Sequence, residues 1–430
     1  MLKQSLLLVL FLSIAACGSD TNIAEPENPN KRNENQCKLA GSSEEELPFD
    51  SDFVSYDKRR KTYNTPTRLL KPEEWPRIMD DLSYEGMDVA ITRQLRRFQR
   101  MKLEGKYIRL GGKKYPLTDA PESLKQFRRH LSRYFRCQGK ESKRTCAREL
   151  TEVLKKKFNM FKPELTPDDP RYGDKKQTLF TSYYTPLLRG RMVPDERFKH
   201  AIYNNPERKE LLDKSRVEID FGKALEDKGL EVVYTEDLFD LYLLHVQGGG
   251  RIVMEDEKGK LDSFYISYDG TNGQSWRFIS HYMYDQGYIS NKGIPAQRNF
   301  LKANPDKEAE IYATCPSYVF FKKTDRPPLG NDNVSLTDNR SIATDTNYYK
   351  FKGLLSFVEA RRPVEKSEED MTGCGDIPFK DFSRFYLDQD TGGAIRGKAR
   401  VDLYAGEGPY AELSAYNTKE VGNLYFLFLK

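Results

Sequence analysis

Apolar positions first gather in a short run from Ser5 to Ala16, behind the charged start Met1-Leu2-Lys3. A run this short does not span a bilayer as a permanent helix, so residues 1–16 read as an export signal. From there to about Glu46 the chain is nearly free of apolar residues and rich in Asn, Glu, Ser, Pro and Lys, the pattern of a flexible tether. Within 74–103, Met87, Ile91, Leu95 and Phe98 share one helical face. The segments 107–110 and 113–115 flank Gly111-Gly112 and predict a hairpin. From Pro121 to Phe161 the spacing predicts two basic amphipathic helices joined near Gln138-Gly139-Lys140. From Leu179 the pattern becomes β. Phe180 to Thr185 predicts a strand closed by Pro186, with further strands at 216–221, 230–234, 239–246, 250–255, 263–268 and 318–322. Helices are expected at Trp276 to Gln286 and around Pro295 to Leu301. Many short strands with Gly-rich turns predict a mainly β fold built on a barrel rather than a doubly wound sheet. The length beyond the tether exceeds one ordinary core and predicts two domains.

The cysteines and charges refine this picture. The signal ends Ala15-Ala16-Cys17-Gly18, which resembles a bacterial lipobox, with Cys17 as the lipidated residue and residues 17–46 as its tether. The six Cys include Cys17, and export permits disulfides among the rest. Cys137 and Cys146 flank the polar turn between the two basic helices and form one candidate pair. Cys315 with Cys374 is a second, which leaves Cys37 over. Neither Cys spacing nor the scattered His130, His200, His245 and His281 forms a zinc site, so neither a metal nor an organic cofactor is expected. The net charge of +5 is mild. Export argues against nucleic acid as partner, and the basic helices read as a solvated face or a surface for an anionic polymer or lipid head groups.

Candidate chemistry concentrates in Leu387-Asp388-Gln389-Asp390-Thr391-Gly392-Gly393-Ala394-Ile395-Arg396-Gly397, followed by Val401-Asp402-Leu403-Tyr404. Asp390 and Asp402 flank a glycine-containing turn, and the segment holds no His, Cys or Ser. Chemistry here is carboxylate acid–base chemistry, of the kind that breaks glycosidic bonds.

Four blocks in order carry a resemblance. They are Phe180 to Pro186, Asp240 to Gly250 with Val246-Gln247-Gly248, Tyr268 to Arg277 with Asn272-Gly273, and the set Asp345, Asp390 and Asp402. Together they resemble the membrane-bound lytic transglycosylase A family, outer-membrane lipoproteins of Gram-negative bacteria, over roughly residues 175 to 430. The resemblance implies a two-domain fold in which a double-psi β-barrel is built from residues 47–186 and 316–430. A smaller β-domain, 187–315, is inserted, with a glycan groove between the two. It implies cleavage of the MurNAc–GlcNAc bond of peptidoglycan to 1,6-anhydro products. Asp402 is then the catalytic acid and base, with Asp390 and Asp345 in support. Tyr183, Thr185, Gln247, Gly248, Gly392 and Gly393 are candidate substrate contacts. The implied partners are glycan strands, the outer membrane through the lipid anchor, and a wall-remodelling assembly, with a monomer as the expected state. Two alternatives stay open: an inverting hydrolase on the same barrel, and a non-catalytic murein-binding lipoprotein.

Overall fold

A computed structural model of the chain describes residues 55–165, 177–255, 261–364, 377–392 and 395–430. The expected signal, Cys17, the tether with Cys37, Cys374 and Gly393 lie outside the described residues.

The N-terminal part comprises β1 (Tyr56–Asp57), β2 (Thr62–Asn64), β3 (Thr67–Leu69), α1 (Met87–Phe98), β4 (Tyr107–Leu110), β5 (Lys113–Pro116), α2 (Asp119–Gln138), α3 (Lys143–Lys157) and β6 (Phe158–Pro163). The hairpin is β4–β5, edge of a small sheet ordered β1-β2-β4-β5. α1 buries Met87, Ile91 and Phe98, while Leu95 packs against the core half-buried. α2 and α3 are the two basic helices, and a Cys137–Cys146 disulfide clamps their junction.

β7 (Thr178–Thr185) leads into an inserted region. This holds β8 (Leu187–Arg191), β9 (His200–Tyr203), α4 (Lys209–Leu212), α5 (Arg216–Asp220), β10 (Glu231–Thr235), α6 (Leu238–Gln247), β11 (Gly249–Glu255), β12 (Leu261–Thr271), α7 (Ile279–Asp285), α8 (Ile294–Ala303), α9 (Glu308–Ala313) and β13 (Val319–Thr324). Its six strands form one sheet, β13-β12-β11-β8-β10-β9, over a second core.

Two expected strands in this region are helices. At 216–221, Ser215 accepts the Glu218 N–H while the Glu218 carboxylate accepts the Ser215 N–H, a reciprocal cap that starts α5. At 239–246, Asp237 accepts the N–H groups of Phe239 and Asp240, and Gly248 closes α6 in the left-handed region. Every residue of α6 from Leu241 to Val246 is buried, so the helix has no polar face to reveal its period. Cys315 is a second correction. It carries a free thiol in the insert's apolar core rather than half of a disulfide.

The chain then returns through β14 (Ser341–Thr344), β15 (Leu355–Pro363), β16 (Phe379–Asp390), β17 (Arg400–Glu407), α10 (Pro409–Asn417) and β18 (Lys419–Leu429). These strands and β7 run in the order β15-β16-β14-β17-β7-β18, and a further β15–β18 pairing closes them into a six-stranded barrel. β6 and β3 extend the same sheet beyond β18. Two of its pairings, β14–β16 and β7–β17, are parallel, and each joins strands far apart in sequence. Aromatic packing ties the helices to the barrel, with Phe127 of α2 against Phe385 of β16 at 4.6 Å between ring centres.

Two buried arginines lock the barrel to the loop before α1. Arg340 makes paired bonds of 2.7 and 2.9 Å to Asp80, and both side chains are fully buried. Arg384 grips Asp81 in the same two-pronged way.

Candidate active site

Pairing register alone brings the two principal acids into one row. Ala343 of β14 pairs with Asp390 of β16 on one side and with Asp402 of β17 on the other, and Asp402 pairs in turn with Thr181 of β7. Paired residues project to the same face of a sheet, so Asp390 and Asp402 flank the small side chain of Ala343. A register shift between Ile342 and Ala343 puts Asp388 opposite Ile342, on the other face from Asp390.

Asp402 is 1% exposed. The Thr181 hydroxyl donates to its Oδ1 at 2.5 Å. Burial pushes its carboxyl above the usual range, against the opposing pull of Arg400 and the Thr181 bond. Asp390 is also buried. It accepts the Tyr183 hydroxyl on Oδ2 and the Asn331 N–H on Oδ1, each at 2.8 Å. Burial raises its carboxyl as well, while four hydrogen-bonding or charged neighbours, among them Tyr183 and Lys352, hold it down. Asp345, at the end of β14, accepts N–H groups from Asn347 and Gly397, which pins the far end of the turn that carries Asp390. Its carboxyl too is raised by burial.

The same face continues along β7 and β17. Tyr183 packs on Tyr404 at 5.2 Å between ring centres, and the Thr185 and Tyr404 hydroxyls are 2.6 Å apart. Tyr183, Ala343, Ile395, Leu336 and Tyr404 form a small apolar cluster around the acid row. Tyr183 and Thr185 are thus bonded to the site's own residues. Gln247 stands apart, at the end of α6 in the insert. It is half-buried, and its Oε1 is buried without a hydrogen-bond partner among the described residues. Gly248 caps α6, and a Cβ on Gly250 would meet the Pro186 carbonyl at 2.9 Å, so this turn packs on the β7–β8 junction. Gly392 accepts the Ile395 N–H within the acid turn.

Several contributors escaped the sequence reading. Thr181 lies in the quoted strand, and only its period-2 spacing with Tyr183 and Thr185 hinted at a shared face. From α1, Gln94 meets Gln389 and Asp332, and Arg97 pairs with Asp332, beside the Asn331 that supports Asp390. The N-terminal helical region therefore braces the acid row. Arg251 of β11 reaches the barrel residue Glu407 at 3.1 Å and links the insert to the end of β17. His245, buried in the insert, takes a bond from Arg216 and is held neutral by burial and that cation. Trp276 stacks on Tyr242 in the insert core rather than standing free.

Closed barrel, inserted sheet and buried acid row together define a protein equipped for carboxylate acid–base chemistry. Comparison with known proteins then makes the assignment specific. Residues 179–322 match the family model described as the MltA specific insert domain, and residues 340–428 match the 3D domain. Membrane-bound lytic murein transglycosylase A of Vibrio cholerae is 30% identical over 264 residues, 60% of this chain and 67% of that protein. Its Escherichia coli namesake is 32% identical over 236 residues, 54% of this chain and 60% of that protein. The chain belongs to the membrane-bound lytic murein transglycosylase A family.

Solved structures agree on the fold. Escherichia coli MltA with bound chitohexaose superposes with a TM-score of 0.61 at 21% identity, covering 88% of this chain and 96% of that one. A membrane-bound lytic murein transglycosylase from Agrobacterium tumefaciens gives 0.58 at 22% identity, covering 84% and 97%. Among the described residues no helix is long and apolar enough to cross a membrane.

Proposed function

We propose that this chain is a lytic transglycosylase that cleaves the MurNAc–GlcNAc β-1,4 bond of peptidoglycan without water, with Asp402 as acid and then base. The observation that carries this reading is a buried carboxyl, raised by burial, set in one register row with a second carboxylate on the family's barrel. A proton-donating carboxyl at neutral pH needs such an environment.

In the first step Asp402 gives its proton to the glycosidic oxygen as the bond from C1 of MurNAc to that oxygen breaks. Developing positive charge at C1 is met by the carboxylate so formed. In the second step the C6 hydroxyl of the same sugar attacks C1 and returns its proton to Asp402. The 1,6-anhydro ring closes, and the enzyme regains its starting state. Because the nucleophile belongs to the substrate, orientation replaces a second catalytic carboxylate. Asp390 supplies negative charge near the row, and Asp345 fixes the turn through Gly397. Thr181 occupies Oδ1 of Asp402, so Oδ2 is the oxygen assigned to the sugar.

In this reading the insert supplies the opposite wall of the groove, and Gln247, whose buried Oε1 has no hydrogen-bond partner among the described residues, is assigned to a sugar hydroxyl or acetamide N–H. A lipid on Cys17 and the tether behind it hold the enzyme at the periplasmic face of the outer membrane. Digestion of purified sacculi tests the reading. Products one water lighter than those of a hydrolase support it, and full-mass reducing-end products refute it in favour of an inverting hydrolase. Binding of sacculi with no release of fragments leaves a murein-binding lipoprotein.

A further inference from the structure

Charge is divided unevenly along the chain. Residues 55–165 carry 29 Lys and Arg against 14 Asp and Glu, a net +15 in a chain of net +5, so the remainder is net −10. Asymmetry of this size goes with an anionic partner. The unpaired cations concentrate at the tip of the α2–α3 hairpin. Arg133, Arg136, Lys140, Lys143, Arg144 and Arg148 are exposed there and hold no carboxylate partner among the described residues. Only two acids, Glu141 and Glu149, share the segment 133–149. Further down the helices the charges do meet acids: Lys125 and Arg129 share Glu122, each at 3.9 Å, and Lys155 reaches Glu152 at 3.6 Å. The Cys137–Cys146 disulfide lies between the tip cations of α2 and those of α3, with its Cα atoms 5.7 Å apart, and holds the two sets together. Phe135 stands in the same tip, 48% exposed, with its ring against Tyr84 and Tyr134 at 6.2 and 5.6 Å between centres.

We propose that the tip of the α2–α3 hairpin is a docking surface for anionic phospholipid headgroups, with its six unpaired cations facing the phosphates and Phe135 entering the boundary between headgroups and acyl chains. Cations around one exposed aromatic ring are the composition of a surface that lies in that boundary, whereas a merely solvated face interleaves its charges with acids. Placement agrees. α2 packs on the barrel through Phe127 against Phe385 of β16 and through Ser123, whose Oγ accepts the Leu429 N–H of β18 at 3.0 Å. The insert leaves from β7 and is tied to β17, across the closed strand order from β16, β15 and β18. A lipid surface at the hairpin therefore leaves the insert side clear. The described chain also begins in this basic layer, at β1, and 37 residues separate Ser55 from Cys17. A linker of that length keeps the tip at roughly millimolar effective concentration near an anchoring membrane, so weak headgroup affinity suffices. The proposal rests on the reading of Cys17 as an anchor only for which membrane is at hand, and not at all on the reading of Asp402.

Cosedimentation with vesicles tests it, using the chain from Gly18 to Lys430, which keeps every described residue and carries no lipid. The probes are phosphatidylethanolamine vesicles with and without phosphatidylglycerol. The parent should bind only where phosphatidylglycerol is present, and less as salt rises. The triple variant Arg136→Glu, Lys140→Glu, Arg144→Glu should lose at least about 10²-fold in affinity, since each cation near an anionic surface is worth about fivefold. Arg136→Lys with Arg144→Lys should keep the binding, and Phe135→Ser should weaken it while leaving its dependence on phosphatidylglycerol. Melting and digestion of free sacculi should be the same for triple variant and parent, because the three residues pair with nothing and lie outside the acid row. A parent indifferent to phosphatidylglycerol, or a triple variant that binds as the parent does, overturns the proposal. Retention on sacculi that the triple variant loses, with no vesicle binding by the parent, also overturns it and gives the surface to the wall polymer. A chain that docks on vesicles yet releases no anhydro product refutes the proposed function and leaves the docking surface standing.

Discussion

At the scale of single residues, burial raises the carboxyl of Asp402, and at neutral pH that carries a cost in stability. Its folded carboxyl lies above the unfolded range near about 4. Folding therefore favours the protonated form. That stabilisation is complete below the unfolded value and is lost as pH rises through the folded one. Asp402→Asn stays neutral throughout, so its melting temperature should exceed that of the parent at pH 7 and equal it at pH 3. Scanning calorimetry at the two values checks this, and equal melting at pH 7 contradicts it. The same substitution should lower turnover by about 10²–10⁴-fold, the range for losing a general acid. Asp390 and Asp402 could be singled out in the sequence as acids flanking a glycine turn, and the fold sets them in one register row. Thr181 could not be, since it meets Asp402 through strands distant in sequence, and only the folded register brings them together.

At the scale of elements, local signals were read well where polar and apolar faces alternate. The β4–β5 hairpin and the α2–α3 pair stand where periodicity put them. The misreading of α6 has a physical source: a helix buried on all sides offers the same apolar run as a buried strand. Its caps, Asp237 and Gly248, were the available signal. The α2–α3 junction makes a prediction of its own. The Cys137–Cys146 bridge closes a short loop, so replacing both Cys with Ser should cost about 2–3 kcal/mol in denaturant unfolding, with little change in kcat. A second prediction concerns the barrel's anchor. Arg340→Met strands Asp80 in a fully buried site and should cost about 3–5 kcal/mol, far more than loss of an exposed pair. Chemical denaturation measures both, and an Arg340→Met protein of parental stability would refute the anchor.

At the scale of the whole molecule, the barrel places the acids, and Arg251 ties the inserted sheet to the end of β17. The inserted sheet could be foreseen only through the ordered blocks that resemble the family, because no local pattern states that β7 and β17 pair across more than two hundred residues. The N-terminal helices, the part least like the family in sequence, brace the site through Gln94, Arg97 and the Asp80–Asp81 clamps. Such non-local pairing also explains why the register that aligns the two acids cannot be read from any single segment. The measurement that tests the account most directly is digestion of sacculi in ¹⁸O-water by the parent chain and by Asp402→Asn, read by mass spectrometry. The account predicts anhydro products free of ¹⁸O from the parent and none from the variant. Products carrying ¹⁸O at the new reducing end, or anhydro products from Asp402→Asn at the parental rate, would contradict it.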